Sequence, residues 1–556
     1  MEDLEKQISE SFILNHKYFT QTNLLTNEAK DYKRVEELLQ EFMSLNICKT
    51  GNQIIGGLCL ENILKYSKIL EKHLENPKKI HKKTKREKVT ITLTKLHMLV
   101  ANIKYCFVLD SDDFDCLPDE HERKLAIRAV TTRIEFEDKK KLKKEIDDFY
   151  IKYNLSKAIF ARTSEYKPSI WRNLLTGWLL IYYSVINKKK AKREAALFDS
   201  DGNIESMKLL WNVTESKLIS KFLPITFPSI NFNKVIFIPS LSPHVLDSQI
   251  SSSLNQNPEN SDLTKPSETQ NHNHSRIRIR ILSSVPLPKF QQANQNSSIF
   301  KICLPNTSSD SKKYEKLIIH IHGGGFLGQT SFSHQIYTRK WANILNEPIF
   351  SVDYRLAPEN PFPDGLDDIW QAYTWLVNHS YEHLGVNPKK IILVGDSAGG
   401  NILTCLTLKC IQAGFRIPDA IFIIYPGLSF KIEHISKGAL LSLNDQILSH
   451  GIYYVIREAY LQGKYSIDDA LVSPSHCPDE LLENFPKTEM LITLNDPLYG
   501  DTMRFADRLI RHGKEVHITE YPEAMHGALS FANDQGIPMF SRIVDDCIRV
   551  LKDLLK

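Results

Sequence analysis

The sequence predicts an α/β fold built on a mainly parallel sheet, preceded by a mostly helical N-terminal region. Three observations carry this. Beyond about residue 276, short apolar β-type runs alternate with helical stretches, the pattern of a parallel sheet covered on both faces. Before residue 245, apolar residues recur at helical spacing, as in Val35, Leu38, Leu39, Phe42 and Met43, and again in Ile63, Tyr66, Ile69 and Leu70. Between the two, residues 246–275 turn to Ser, Asn, Gln and His with almost no apolar anchors, a composition that cannot offset its ordering entropy and reads as a disordered linker. The expected division is therefore 1–245 helical, 246–275 linker and 276–556 α/β. With 556 residues, more than one domain is the natural starting point.

The expected strands are Arg276–Leu282, which alternates and reads as half-buried, then Leu317–Ile321, Ile349–Val352, Ile391–Val394, Ala420–Ile424, Glu489–Leu494 and Val516–Glu520. Helices are expected at Gly365–Asn378, Ile402–Ala413, Asp501–His512 and Phe540–Leu555. The apolar stretch Asn173–Ile186 is shorter than the roughly 20 residues a membrane span requires. It is expected as a buried helix, with a helix lying in a lipid interface as the alternative. The basic run Lys78–Lys88 and the acidic stretch Asp110–Glu122 read as solvated loops.

Composition excludes several classes. A net charge of +4 on this length gives no reason to expect nucleic acid as a partner. Nine scattered cysteines, odd in number and without a CxxC pair, fit reduced thiols in a cytoplasmic protein better than a disulfide framework or zinc site. Met1–Lys6 is acidic with no following apolar run, unlike a signal peptide. No metal or organic cofactor is expected.

The chemistry concentrates in the α/β part. Gly395-Asp396-Ser397-Ala398-Gly399 lies directly between an expected strand and an expected helix, the setting of a nucleophile elbow, where Gly395 and Gly399 avoid clashes and Ser397 projects above the sheet. His322-Gly323-Gly324-Gly325 follows the strand Leu317–Ile321. The N–H groups of Gly324 and Gly325, with that of Ala398, could converge on an oxyanion. His526, just after the last strand, is the expected general base. His517 lies inside that strand and reads as packing, while His320 and His322 read as orienting the glycine loop. The acid that holds the imidazole is expected at Asp496, past the strand Glu489–Leu494; its rival Asp501 opens a helix and fits an N-cap.

In their order, HIHGGGF, DYRLAPENPFP, GDSAGGN, DPL and HG resemble the hormone-sensitive lipase family of α/β-hydrolases. His320–His334 and Ile391–Asn401 are closer to the large lipase that gives the family its name than to its small bacterial members. More weakly, Leu210–Glu215 (LWNVTE) and the helical region before it resemble that lipase's N-terminal part. The resemblance implies a Ser397–His526–Asp496 triad, an oxyanion hole at Gly324, Gly325 and Ala398, and a structural role for Asp353 and Arg355. Large regulated members carry a long insertion between serine and acid. Here roughly 100 residues separate the two, which the fold's own elements fill, so control through that module is not implied.

The function expected is a serine carboxylic-ester hydrolase acting on neutral lipid esters such as di- or triacylglycerols or sterol esters. Contact with a lipid-droplet or membrane surface and a homodimeric assembly are both compatible with it. An esterase of small soluble or xenobiotic esters is the first alternative. A non-catalytic receptor on the same fold is the second, disfavoured because such receptors lose the histidine found here at 526.

Overall fold

The computed structural model describes residues 130–556 except 165, 168–169, 202, 217–218, 240–275, 291–313, 432–444 and 535, together with isolated positions before 130. The basic run, the acidic stretch and the expected linker lie outside the described residues, as do five of the nine cysteines. The other four, Cys405, Cys410, Cys477 and Cys547, are free and buried.

One nine-stranded sheet organises the described residues. Its strands are β1 (Thr131–Arg133), β2 (Phe232–Pro239), β3 (Arg276–Ser283), β4 (Tyr314–Ile321), β5 (Ile349–Asp353), β6 (Val386–Asp396), β7 (Ala420–Ile424), β8 (Lys487–Asn495) and β9 (Val516–Met525). They stand in the order β1-β9-β8-β7-β6-β4-β5-β3-β2, with β2–β3 and β3–β5 antiparallel and the rest parallel. All seven strands expected from the sequence are present, several of them longer at one or both ends.

Two strands were not foreseen. β1 and β2 precede residue 246, yet β1 extends the sheet beside β9 and β2 pairs with β3 over eight residues. The sheet thus draws strands from both sides of the expected division. β3 is correspondingly more buried than alternation implied: it is flanked on both sides, and Arg280 is only 6% exposed. Its guanidinium is satisfied by Ser331 Oγ (3.1 Å) and Asn233 Oδ1 (2.9 Å), as a buried charge requires.

Upstream helices α1 (Lys139–Thr163), α2 (Ile170–Ile181), α3 (Lys188–Asp201) and α4 (Ile204–Trp211) pack together. Downstream come α5 (Gln335–Leu345), α6 (Asp364–Leu384), α7 (Ala398–Gln412), α8 (His450–Leu461), α9 (Tyr499–Arg511) and α10 (Ser541–Leu554). The strand side chains divide between two apolar clusters. One joins Ile319, Leu393 and Ile423 to α6, α7 and α9; the other joins Ile318, Ile392 and Phe422 to Trp341 of α5 and Ile543, Cys547 and Leu551 of α10. Alternate residues of a strand point to opposite faces, so both faces are covered.

Two expectations fail here. Asp501 is not a cap: α9 begins two residues earlier, Leu498 occupies the cap position, and Asp501 lies in the first turn, 3.3 Å from Arg504. The stretch Asn173–Ile186 is not a buried helix either. It forms α2 and a π-helical turn over Tyr182–Ile186, and only Leu179 and Tyr183 are buried. Trp171, Leu174, Trp178, Ile181, Val185 and Ile186 are exposed, Trp171 by 76% and Val185 by 74%. A purely apolar run does not say how many neighbours the fold supplies to cover it. No helix among the described residues is long and apolar enough to cross a membrane.

Candidate active site

The site forms where β4, β6, β8 and β9 end at the same edge of the sheet. The turn after β6 holds Ser397 at φ 53° and ψ −120°, a strained conformation for a residue with a side chain. The flanking glycines are forced by the neighbouring strand. A Cβ on Gly395 would lie 2.7 Å from the Ile321 carbonyl oxygen, and one on Gly399 only 2.1 Å from it. Ser397 N–H is anchored to Ile424 O at 2.9 Å, so the elbow is held by β7 as well.

Ser397 Oγ lies 2.9 Å from His526 Nε2, and His526 Nδ1 lies 2.7 Å from Asp496 Oδ2. The three side chains expected to act together are thus in one hydrogen-bonded chain, although 129 and 30 positions separate the partners in sequence. Asp496 is buried, and its carboxylate also accepts from Leu498 N–H (2.9 Å) and Thr493 Oγ1 (3.1 Å). These bonds fix which oxygen faces the imidazole. Burial works against a proton on His526, but the Asp496 carboxylate outweighs it, with Asp445 and Asp396 adding to the effect, and raises its pKa above the ordinary 6.5. Donation from Nδ1–H to Asp496 leaves Nε2 able to accept the Ser397 proton.

Gly324 and Gly325 follow β4 with φ of 105° and 57°. Among the described residues, the N–H groups of Gly324, Gly325 and Ala398 donate to no backbone oxygen. All three residues border one cavity of about 560 Å³ together with Ser397 and His526. Its other walls are mainly apolar: Phe149, Tyr153 and Phe160 from α1, Leu210 and Trp211 from α4, and Ile456 from α8. The upstream region therefore supplies much of the wall.

The other histidines singled out from the sequence, His320, His322 and His517, have partners other than Ser397. His320 bonds Ser351 Oγ (2.6 Å) and Tyr337 OH (3.0 Å). His322 Nδ1 bonds Gly323 O (2.8 Å), and its ring stacks on Tyr354 at 4.4 Å. Burial and the nearby His334 push the His322 pKa down to about 4, so it is neutral near pH 7. His517 pairs with Glu489 (3.0 Å) and Thr132 (3.0 Å) across the sheet. Asp353 accepts from Ser331 N–H (2.5 Å), and Arg355 Nε grips both Asp368 oxygens at 3.0 and 2.9 Å. Both are polar braces, not members of the Ser397 chain.

Sequence reading missed a buried polar group beneath the glycine loop. Asp396 Oδ1 accepts from Tyr337 OH (3.0 Å) and Gly323 N–H (3.2 Å) and lies 3.5 Å from His334 Nε2. Burial opposes its charge, but His334 and the hydrogen bonds prevail and hold the carboxyl at about 2. The clue was present, since His334 closes the same string that carries the glycines, but its 11-residue spacing from Gly323 maps to no local motif. Asp445 was also missed. It accepts the N–H groups of Ile447 (2.8 Å) and Leu448 (2.5 Å), and burial raises its pKa to about 6. One group among the described residues has metal-ligand spacing, His379, Glu382 and His383 on α6, and it borders no part of the cavity.

This edge-of-sheet elbow, glycine loop and histidine arrangement agrees with a family match. A model described as the α/β-hydrolase fold matches residues 318–530. These residues form an α/β-hydrolase domain. The chain is 32% identical to hormone-sensitive lipase of Bos taurus over 252 residues, 44% of this chain and 32% of that protein. The mouse enzyme is 32% identical over 263 residues, 46% of this chain and 33% of that one. The aligned part thus spans about a third of those lipases. A carboxylesterase of Mycobacterium tuberculosis, NlhH, is 29% identical over 221 residues, 39% of this chain and 67% of that protein. Among solved structures, a hyperthermophilic esterase from Pyrobaculum calidifontis is similar with TM-score 0.49 and 19% identity, over 64% of this chain and 92% of that one.

Proposed function

We propose that the chain is a carboxylic-ester hydrolase whose substrates are neutral lipid esters, di- or triacylglycerols or sterol esters. The observation that carries the reading is the Ser397–His526–Asp496 chain opening into a largely apolar cavity. Ser397 Oγ attacks the ester carbonyl carbon while its proton passes to His526 Nε2. The tetrahedral oxyanion is received by the N–H groups of Gly324, Gly325 and Ala398. The C–O bond to the alcohol breaks, and the alcohol leaves with the proton held by His526. Water then attacks the acyl-serine by the same route and releases the acid.

Apolar walls favour an acyl chain over a small polar ester. The resemblance to hormone-sensitive lipases supports the same substrate class. A lipid surface is the proposed place of work. α2 and its π-helical extension expose Trp171, Leu174, Trp178 and Ile181 and run into Lys188, Lys189 and Lys190. Aromatic and aliphatic residues beside a lysine cluster suit an anionic lipid interface. The test is hydrolysis by the full chain and by Ser397→Ala across soluble short esters, emulsified acylglycerols and sterol esters. Wild-type turnover should be highest on the emulsified lipids, and Ser397→Ala should lose at least about a thousandfold while keeping its circular dichroism. Undiminished turnover in Ser397→Ala would exclude the mechanism, and preference for short esters would favour the small-ester alternative.

A further inference from the structure

The glycine loop that carries the proposed oxyanion donors is an unfavourable piece of backbone. Gly324, Gly325, Phe326 and Gln329 all have positive φ, at 105°, 57°, 62° and 64°. For Phe326 and Gln329 such angles are unfavourable and persist only where the surroundings over-determine them. Within the loop, Leu327 and Gly328 N–H both return to Gly324 O, at 3.0 and 3.1 Å. The rest of the support comes from outside.

Much of that support is one short segment that the serine chemistry itself leaves unexplained, Trp211–Glu215. Trp211 ends α4, a helix capped by Asn203, which accepts Ser206 N–H at 2.7 Å, and anchored by buried Met207 and Leu210. The Trp211 ring occupies the space beside Gly325, where a Cβ would lie 2.6 Å from it. Asn212 Oδ1 accepts Gln329 N–H at 2.7 Å, and its amide lies against Gly328. Glu215 Oε1 accepts Thr330 Oγ1 at 2.9 Å. Three side chains within five residues therefore engage the loop at Gly325, Gln329 and Thr330.

We infer that Trp211, Asn212 and Glu215 are positioning residues that hold the glycine loop with its Gly324 and Gly325 N–H groups aimed at the reacting carbonyl. This rests on the serine-hydrolase reading and deepens it. The upstream region then serves the chemical step for every ester, beyond walling the acyl pocket. A donor in an oxyanion hole is worth about 10²–10³ in kcat, so partial misplacement of two donors is enough to measure.

The decisive comparison in the full chain is Asn212→Leu against Asn212→Asp, with Glu215→Ala against Glu215→Gln as an independent pair. Leu and Ala remove the acceptors for Gln329 N–H and Thr330 Oγ1, whereas Asp and Gln keep an oxygen in place. On a short soluble ester, Asn212→Leu is expected to lower kcat at least about tenfold with KM changed less than about threefold. Affinity for a trifluoromethyl ketone, which forms an oxyanion adduct with serine, should weaken in parallel with kcat/KM. Asn212→Asp and Glu215→Gln should restore kcat to within about threefold of wild type. Unchanged kcat in both Asn212→Leu and Glu215→Ala, a loss seen in KM alone, or a loss confined to long-chain esters would overturn the inference and leave the segment as pocket wall. If Asn212→Leu fails to fold, the Glu215 pair decides on the same criteria. Failure of the underlying reading looks different: the wild type would then give no ketone adduct, and Ser397→Ala would keep its activity.

Discussion

At the level of single residues, the site couples a strained serine to a buried histidine whose charge is set by its neighbours. Because Asp496 holds the His526 pKa above 6.5, the base form is lost as pH falls through that raised value. kcat/KM on a soluble ester is therefore expected to rise with pH, with its inflection above 6.5, and then to level off. Asp496→Asn removes the carboxylate and should both cut kcat by on the order of 10⁴ and move the inflection downward. A pH profile of the two proteins checks the sign. Asp501 offers the contrast. Burial raises its carboxyl to about 6, so the folded protein binds that proton more tightly than the unfolded chain does. The stabilisation this gives is complete below about pH 4 and is lost as pH rises through about 6. Asp501→Asn should consequently leave kcat unchanged and raise stability at pH 8 by about 1 kcal/mol, seen as a Tm increase of roughly 1 °C for a chain of this length. A fall in kcat comparable to that of Asp496→Asn would mean the acid had been assigned to the wrong aspartate.

At the level of elements, legibility depended on whether a residue's environment is set locally. β4, β6 and β7 were readable because central parallel strands are apolar throughout, and Ser397 because a tight turn beside β4 admits only glycine at 395 and 399. β1 was not readable: three residues, Thr131–Arg133, are too few for a period and are strand only because β9 lies beside them. Arg280 misled for the same reason, since its partners Asn233 and Ser331 come from distant segments. α2 misled in the other direction, as an apolar run with few neighbours to cover it. Its exposed face gives an expectation at this scale. Replacing Trp171 and Trp178 together by Glu puts charge where an interfacial helix buries indole. Binding to vesicles containing anionic phospholipid, followed by sedimentation, should drop at least about tenfold, while kcat on a soluble ester stays within about twofold. Equal loss of both would trace the effect to folding of α2 on α1, and undiminished vesicle binding would remove α2 as the contact.

At the level of the whole molecule, the sequence invites a cut at residue 276, because Ser397, His526, Asp496 and the glycine loop all lie beyond it. If the upstream region only walled the pocket, Arg276–Lys556 would still turn over short esters. The structure argues for a harsher result. β3 would lose its pairing with β2 along all eight residues and become an exposed edge, the kind of unpaired strand that recruits other chains. The cluster behind it includes Phe198, Met207, Leu210 and Ile238 from the upstream region, each at most 5% exposed. Removing such side chains costs about 2–5 kcal/mol apiece where a cavity is left, against a total stability of roughly 5–15 kcal/mol. Loss of Trp211, Asn212 and Glu215 would in addition release the glycine loop. The fragment 276–556 is therefore expected to aggregate or, if kept soluble, to show turnover at least about a hundredfold down on short and long esters alike. A fragment beginning at 130 keeps β1, α1–α4 and β2, and should fold and retain kcat on short esters within about threefold. Size-exclusion chromatography and kinetics on the two fragments test this directly. A soluble 276–556 fragment with near-normal short-ester turnover would show that the upstream region only walls the pocket, because neither the sheet nor the glycine loop would then have needed it.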